Sequence, residues 1–312
     1  MDVVHGFEAL PIGKGPTAVT IGFFDGVHRG HQAILRRTVE IGRGRGIAPV
    51  AVTFDRHPRE ILTPGSEPPL LTTPERKAEL IAALGLDALV VLEFTRDFST
   101  WSPREFVERV LVSGLHAAHA VVGSNFTFGH KAQGTLAVLN ELGSQRGFSV
   151  EGQPLLHIDG RPVSSSSIRQ SLADGELHWP TEALGRRFAV DGVVVSGAGR
   201  GAGLGFPTAN LGVPGRMLIP GEGVYAGKAR VLGGDHVAAI NVGTNPTFGK
   251  EPLHVEAFLL DFEGEVRGQP MSLEFWERLR DEVRFDSPEA LAKQIAEDVR
   301  RTRSVVAPDR VR

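Results

Sequence analysis

The feature that most constrains this chain is a change of texture near residue 185. Through residues 1–185, short β-branched runs alternate with segments of helical periodicity. The runs fall at 19–24, 49–54, 88–94, 118–123 and 148–152, and the helical segments at 31–41, 73–84, 103–113 and 136–144. Thr73-Pro74 and Ser102-Pro103 read as N-caps followed by proline at the first helical position. Strands alternating with helices of this length predict an α/β domain, a parallel sheet covered on both faces. Ligands of such sheets sit beyond the carboxyl ends of the strands. After Leu184-Gly185-Arg186-Arg187 the pattern becomes short strands at 189–196, 223–232, 236–242, 255–260 and 272–275, separated by glycine- and proline-bearing turns. That texture predicts a small antiparallel β-barrel. A terminal helix is expected behind Ser287-Pro288, with Leu291, Ile295 and Val299 as an apolar stripe and residues 307–312 frayed. The expectation is therefore two domains, 1–185 and 186–312, for which 312 residues suffice.

Composition narrows the function. Hydrophobic residues make up 41% and charged residues 23% of the chain, and the net charge is −3, so a nucleic-acid-coating or membrane-surface protein is not expected. The absence of cysteine excludes disulfides, thiolate metal sites and cysteine nucleophiles, and fits a reducing compartment. Met1-Asp2-Val3-Val4-His5 lacks the pattern of a signal peptide, and no apolar run approaches a membrane span. A cytoplasmic protein with small-molecule partners, and neither nucleic acid nor membrane among them, is expected; oligomeric state is not legible.

One segment joins a strand to a helix: Gly22-Phe23-Phe24-Asp25-Gly26-Val27-His28-Arg29-Gly30-His31. Its glycines allow a tight turn, and a helix start offers free N–H groups to an anion. His28 and His31 would stand near that anion, where an imidazole donates to a phosphoryl oxygen as charge builds. Alone, His-x-Gly-His is more often a surface or capping pair. Val163-Ser164-Ser165-Ser166-Ser167-Ile168-Arg169 precedes a second helix and offers hydroxyls, N–H groups and a guanidinium fork, or else a serine-rich cap with a solvated arginine. Neither Gly-x4-Gly-Lys-Ser/Thr nor Gly-x-Gly-x-x-Gly occurs, so any ATP is held by other means.

The second half carries Leu204-Gly205-Phe206-Pro207-Thr208-Ala209-Asn210-Leu211, Gly223-Val224-Tyr225-Ala226-Gly227, and Asn241-Val242-Gly243-Thr244-Asn245-Pro246-Thr247-Phe248-Gly249. Taken singly, Pro207-Thr208-Ala209-Asn210 and Thr244-Asn245-Pro246 are turns. Glu256 lies in an apolar strand, and two-residue alternation puts it with Phe258 and Leu260, opposite Val255, Ala257 and Leu259. A carboxylate there belongs to a barrel mouth or to a pair; structural and functional readings stand equal.

Taken together, these segments resemble bacterial bifunctional riboflavin kinase/FAD synthetases, from about residue 3 to residue 305. Thr53-Phe54-Asp55-Arg56-His57-Pro58 and Gly123-Ser124-Asn125-Phe126-Thr127-Phe128-Gly129 belong to the same likeness. It implies a Rossmann-like nucleotidyltransferase domain that moves AMP from ATP to FMN, and a barrel that phosphorylates riboflavin with ATP. By the resemblance, Gly22, Phe24, His28, His31, Asn125, Arg161, Ser164, Ser165 and Arg169 bind ATP in the first domain. In the second, Gly205, Pro207, Thr208, Asn210, Tyr225 and Asn241 bind ATP or flavin, Thr208 and Asn210 hold Mg²⁺, residues 199–203 form a mobile flap, and Glu256 is the general base. The two reactions differ in demand: FMN's phosphate is already an anion, whereas an alcohol is hardly ionised at pH 7 and needs a base. Departures from the family pattern include Ala202 in the flap and Arg267 after the Glu256 strand. Two other readings remain: a His-x-Gly-His adenylyltransferase for another acceptor with an accessory barrel, and a non-catalytic flavin- or RNA-binding barrel.

Overall fold

The computed structural model describes residues 1–6, 15–197, 200–244 and 253–306, without the side chains of Arg200 and Ala202. Gly199 and Ala202 of the expected flap, the 245–249 part of the Asn241 segment and residues 307–312 thus lie outside the described residues and side chains. The chain forms two compact units, Met1–Pro68 with Thr72–Ser165, and Pro69–Leu71 with Ser166–Arg312.

The first unit is Rossmann-like. Among the described residues its strands are β1 (Asp2–His5), β2 (Thr17–Ile21), β3 (Ala48–Phe54), β4 (Ala88–Leu92), β5 (Ala117–Gly123) and β6 (Ser149–Gln153), in the order β1-β4-β3-β2-β5-β6, every pair parallel. Helices α1 (Arg29–Arg45), α2 (Pro58–Leu62), α3 (Pro74–Ala82), α4 (Pro103–Phe106) and α5 (Leu136–Arg146) connect them. β2 is buried at every position, as a strand covered on both faces must be. Alternation divides the core. Val50 and Val52 pack with Phe106, Val110 and Leu139 on one face, while Ala51 packs with Leu35, Ile81 and Leu89 on the other. The expected 103–113 helix is present but widens at Val107–Gly114 into π-type turns. Thr73, Ser102 and Thr135 cap α3, α4 and α5 through their hydroxyls. β1, four residues at the sheet edge, has no signal in the periodicity.

The chain moves from β2 to β3 and β4 on one side, then returns to place β5 on the other. The strand order therefore reverses between β2 and β5, the switch point at which open sheets bind ligands. Both Gly22–His31 and Gly123–Gly129 leave the sheet there.

Two-residue strands β7 (His157–Ile158) and β8 (Arg161–Pro162) form a small hairpin, followed by α6 (Ser165–Ala173) and α7 (His178–Leu184). The second unit holds a closed antiparallel barrel of β9 (Phe188–Val195), β10 (Ala209–Gly212), β11 (Gly223–Val231), β12 (Gly234–Gly243), β13 (His254–Leu259) and β14 (Pro270–Arg280). Its circular order is β10-β13-β12-β11-β14-β9, and it leaves no open edge. α8 (Arg200–Gly203) is a single helical turn in the segment that the resemblance assigns to a mobile flap.

Ser287 caps α9 (Pro288–Val305) as expected. The face of α9 buried most deeply is centred on Asp298 and Thr302, whereas Leu291, Ile295 and Val299 are half-buried. The reason is electrostatic: the Arg280 guanidinium on β14 meets the buried Asp298 carboxylate at 2.7 Å and sets the helix rotation.

Candidate active sites

In the first unit the segment after β2 makes one 3₁₀ turn, Asp25–Val27, before α1 begins. Phe24, Gly26 and Val27 all have positive φ, 54°, 76° and 39°. For phenylalanine and valine this conformation costs about 1–3 kcal/mol each and persists only where the surroundings over-determine it. Here they do. Asp25 Oδ1 accepts the Thr72 amide at 3.2 Å, Thr72 Oγ1 accepts the Gly26 amide at 3.2 Å, and Ser165 Oγ donates to the Asp25 carbonyl at 3.0 Å.

His28 is the N-cap of α1: its Nδ1 accepts the His31 amide at 3.2 Å. The His31 ring stacks on His28 with centroids 3.6 Å apart, and Phe24 meets it edge-on at 5.3 Å. His31 Nδ1 is sealed from solvent and has no hydrogen-bond partner among the described residues. Burial first, then the His28 and Lys77 charges, hold the His31 pKa well below the ordinary imidazole value. His31 is therefore a neutral donor rather than a cation. Gly30 permits the arrangement, because a Cβ there would press on the His28 ring at 3.2 Å.

Of the other residues expected here, Gly22 and Ser165 frame the turn, and Ser164 lies half-buried beside Ser165. Asn125 is exposed on the turn after β5, close to Gly123. Arg161 belongs to the β7–β8 hairpin. Arg169 lies in the second unit, its Nε donating to the Pro69 carbonyl at 2.7 Å. Phe24 is 2% exposed and packs in the core with Val27, Leu35 and Ile81, which leaves its backbone to face a ligand.

Lys77 and Asp25 were not singled out in the sequence. Lys77, 7% exposed, donates to the Phe23 carbonyl at 3.3 Å and to Thr53 Oγ1 at 3.2 Å. Its signal was available: Lys77 and Ile81, one turn apart, share the buried face of α3.

In the second unit a row of polar side chains crosses three strands. Asn210 on β10 pairs opposite Glu256 on β13, and Glu256 opposite Asn241 on β12. Directly paired residues lie on one sheet face. Val255, Ala257 and Leu259 point the other way, into the barrel core. Thr208, just before β10, donates to Glu256 Oε2 at 3.1 Å, and His254 Nε2 stands 3.5 Å from Oε1. Both carboxylate oxygens are thus oriented, while the side chain keeps 20% of its surface open. His254 had a signal too, two residues from Glu256 on the same strand face.

Beside this row opens a cavity of about 270 Å³, lined by Pro207, Thr208 and Asn210 on one side and by Phe262, Val266 and Arg267 on another. The Arg267 departure therefore faces the site. Gly205, at φ 85°, turns the chain just ahead of Pro207. α8 packs on this approach, its Gly201 backbone against the Phe206 carbonyl and the Thr208 methyl. Tyr225 is fully buried in the barrel, where its hydroxyl donates to the Gly221 carbonyl and its ring packs edge-on against Phe275.

Comparison with known proteins divides the chain in the same sense. A family model described as FAD synthetase matches residues 12–167, and one described as riboflavin kinase matches residues 184–306. The bifunctional riboflavin kinase/FMN adenylyltransferase of Pseudomonas fluorescens is 38% identical over 310 residues, covering 99% of each chain. That of Listeria monocytogenes is 36% identical over 291 residues, covering 93% of this chain and 92% of its own. A solved structure from Streptococcus pneumoniae, titled a macrolide-efflux protein, superposes with a TM-score of 0.87 at 28% identity, covering 97% of this chain and 99% of that one. The efflux activity in that title is said of that protein; the likeness carries the fold end to end. No helix among the described residues of this chain is long and apolar enough to cross a membrane.

Proposed function

The chain belongs to the bifunctional riboflavin kinase/FMN adenylyltransferase family, and on that premise we propose that it makes FMN at the Glu256 site and FAD at the His28–His31 site. The observation that carries the reading is the Asn210–Glu256–Asn241 row with the Thr208 hydroxyl bonded to the carboxylate. An accessory barrel has no need of such a row. We assign adenylyl transfer to residues 1–185 and riboflavin phosphorylation to residues 186–312, both in the cytoplasm.

In the kinase step, Glu256 takes the proton of the ribityl 5′-hydroxyl as the oxygen attacks the γ-phosphorus of ATP. The leaving group is ADP, and the proton ends on the carboxylate. Thr208 and His254 fix the direction of that carboxylate, so its free lone pair needs no search for the hydroxyl. Thr208 and Asn210 are oxygen donors and suit a hard cation. Among the described residues no three acidic or histidine side chains form a cage, which fits Mg²⁺ arriving with phosphate and water ligands of its own. When bound, Mg²⁺ supplies charge neutralisation at the phosphates.

In the adenylyl step, an FMN phosphate oxygen attacks the α-phosphorus of ATP and pyrophosphate leaves. No proton has to be removed. The α1 helix start and the His28–His31 pair act on the charge that gathers on the phosphoryl oxygens, with Ser164, Ser165, Asn125 and Arg161 as further contacts. The test is to incubate the protein with riboflavin, ATP and Mg²⁺ and to separate the flavins over time. FMN should appear first and FAD after it; the appearance of neither would refute the reading.

A further inference from the structure

Lys77 is a buried charge in the first unit for which the two reactions above have no use. It sits on the inner face of α3, one turn before Ile81, which packs on Phe24 and Val27. Its ammonium lies 4.7 Å from the centre of the Phe23 ring and donates to both the Phe23 carbonyl and Thr53 Oγ1. Thr53 Oγ1 itself donates to the same carbonyl at 3.1 Å. Two donors, one from α3 and one from the end of β3, thus close on one backbone oxygen just beyond β2. That oxygen immediately precedes the turn in which Phe24, Gly26 and Val27 have positive φ. The contact is placed where a strained turn most needs holding.

The charges around Lys77 come from each element packed against it. Asp25 on the turn and Asp55 beyond β3 favour its charged form, while burial disfavours it and brings its pKa down to about 8. From α1, His31 faces it, and the Lys77 charge helps to keep that imidazole neutral. Away from water such a charge acts over a longer distance than it would at the surface.

We propose that Lys77 is a positioning residue for adenylyl transfer, fastening the Phe23 carbonyl so that the turn presents His28 and His31, and keeping fixed positive charge behind that pair. The inference rests on the reading that this turn binds the ATP phosphates. The lysine need not touch substrate. Misplacing a catalytic pair by an ångström costs on the order of 100-fold.

The test uses the full-length protein, in which riboflavin phosphorylation is an internal control for folding. FMN-to-FAD and riboflavin-to-FMN rates are measured for wild type, Lys77→Met and Lys77→Arg from pH 6 to 10. Lys77→Met should lower kcat for FAD formation by roughly 10- to 100-fold, with riboflavin phosphorylation within about twofold of wild type. In wild type, FAD formation should fall as pH rises through about 8, where Lys77 loses its proton. Lys77→Arg, which keeps its charge, should retain activity and lose that alkaline fall. Unchanged kcat in Lys77→Met, or an unshifted alkaline fall in an active Lys77→Arg, overturns the proposal. If Lys77→Met fails to fold, the Lys77→Arg profile decides alone. A wild-type protein that makes no FAD from FMN overturns the underlying reading, an outcome visible before any variant is measured.

Discussion

The imidazoles of His28 and His31 lie 3.6 Å apart and 19° from parallel, and His28 also caps the helix through the His31 amide. A positive charge on His31 is disfavoured there, first by burial and then by His28 and Lys77, and its Nδ1 is sealed from solvent. A neutral imidazole donates through one nitrogen without demanding a counterion. His31→Ala should therefore lower kcat for FMN-to-FAD conversion by about 10²- to 10³-fold, the cost of losing one donor to developing phosphoryl charge. Riboflavin phosphorylation by the same protein should stay within about twofold. Chromatographic separation of FMN and FAD reads both rates, and equal loss of both would refute the two-site assignment.

The same histidine has a consequence for stability. Its pKa is depressed in the folded protein, first by burial, then by His28 and Lys77. Below the ordinary value near 6.5 the unfolded chain binds a proton that the folded chain refuses. The stability linked to His31 is thus fully present above about pH 6.5 and is lost as pH falls toward the depressed folded value, with a limiting slope of about 1.4 kcal/mol per pH unit. Urea unfolding followed between pH 7 and 5 should show this loss in wild type. In His31→Gln the slope should be shallower by up to one proton, and an unaltered slope would show that His31 does not titrate this way.

At the kinase site, Glu256→Gln keeps shape and hydrogen bonding but removes the base. FMN formation from riboflavin should fall by about 10²- to 10⁴-fold, the usual share of general-base catalysis. Supplied FMN should still be converted to FAD. Thr208→Val removes the hydroxyl that bonds Oε2 and should lower the first reaction while sparing the second. If Glu256→Gln forms FMN at the wild-type rate, another group is the base.

How far the sequence reveals these sites depends on the range of the interactions. The His28-x-Gly30-His31 turn is legible because strand, glycines and helix start follow one another within ten residues. Its clamps are not legible: Asp25 meets Thr72 and Ser165, and Lys77 meets Phe23, across gaps that only the sheet closes. β10 is hidden for a different reason. Ala209-Asn210-Leu211-Gly212 has little intrinsic strand preference and reads as a turn, yet pairing with β9 and β13 on both sides imposes the strand. Tyr225 carries no signal in the periodicity, because β11 is buried at five successive positions and alternation does not separate one face from the other. Glu256 is legible because β13 alternates cleanly.

Gly197 offers a test of the Asn210 assignment that leaves every proposed ligand in place. A Cβ built on Gly197 would overlap the Asn210 side-chain amide, whereas one on Gly203 meets nothing within 4 Å. The amide is the end of a short flexible side chain, so it would swing away rather than break the β10 ladder. Gly197→Ala should accordingly raise the KM for MgATP in riboflavin phosphorylation by about tenfold, the equivalent of one lost hydrogen bond, with kcat little changed. Thermal stability should hold, because alanine restricts the unfolded chain more than glycine does and offsets a small local strain. FMN-to-FAD conversion should be untouched, and Gly203→Ala should behave as wild type in both reactions. An unchanged KM in a folded Gly197→Ala protein would take Asn210 out of the nucleotide site and leave Thr208 and Glu256 to account for it.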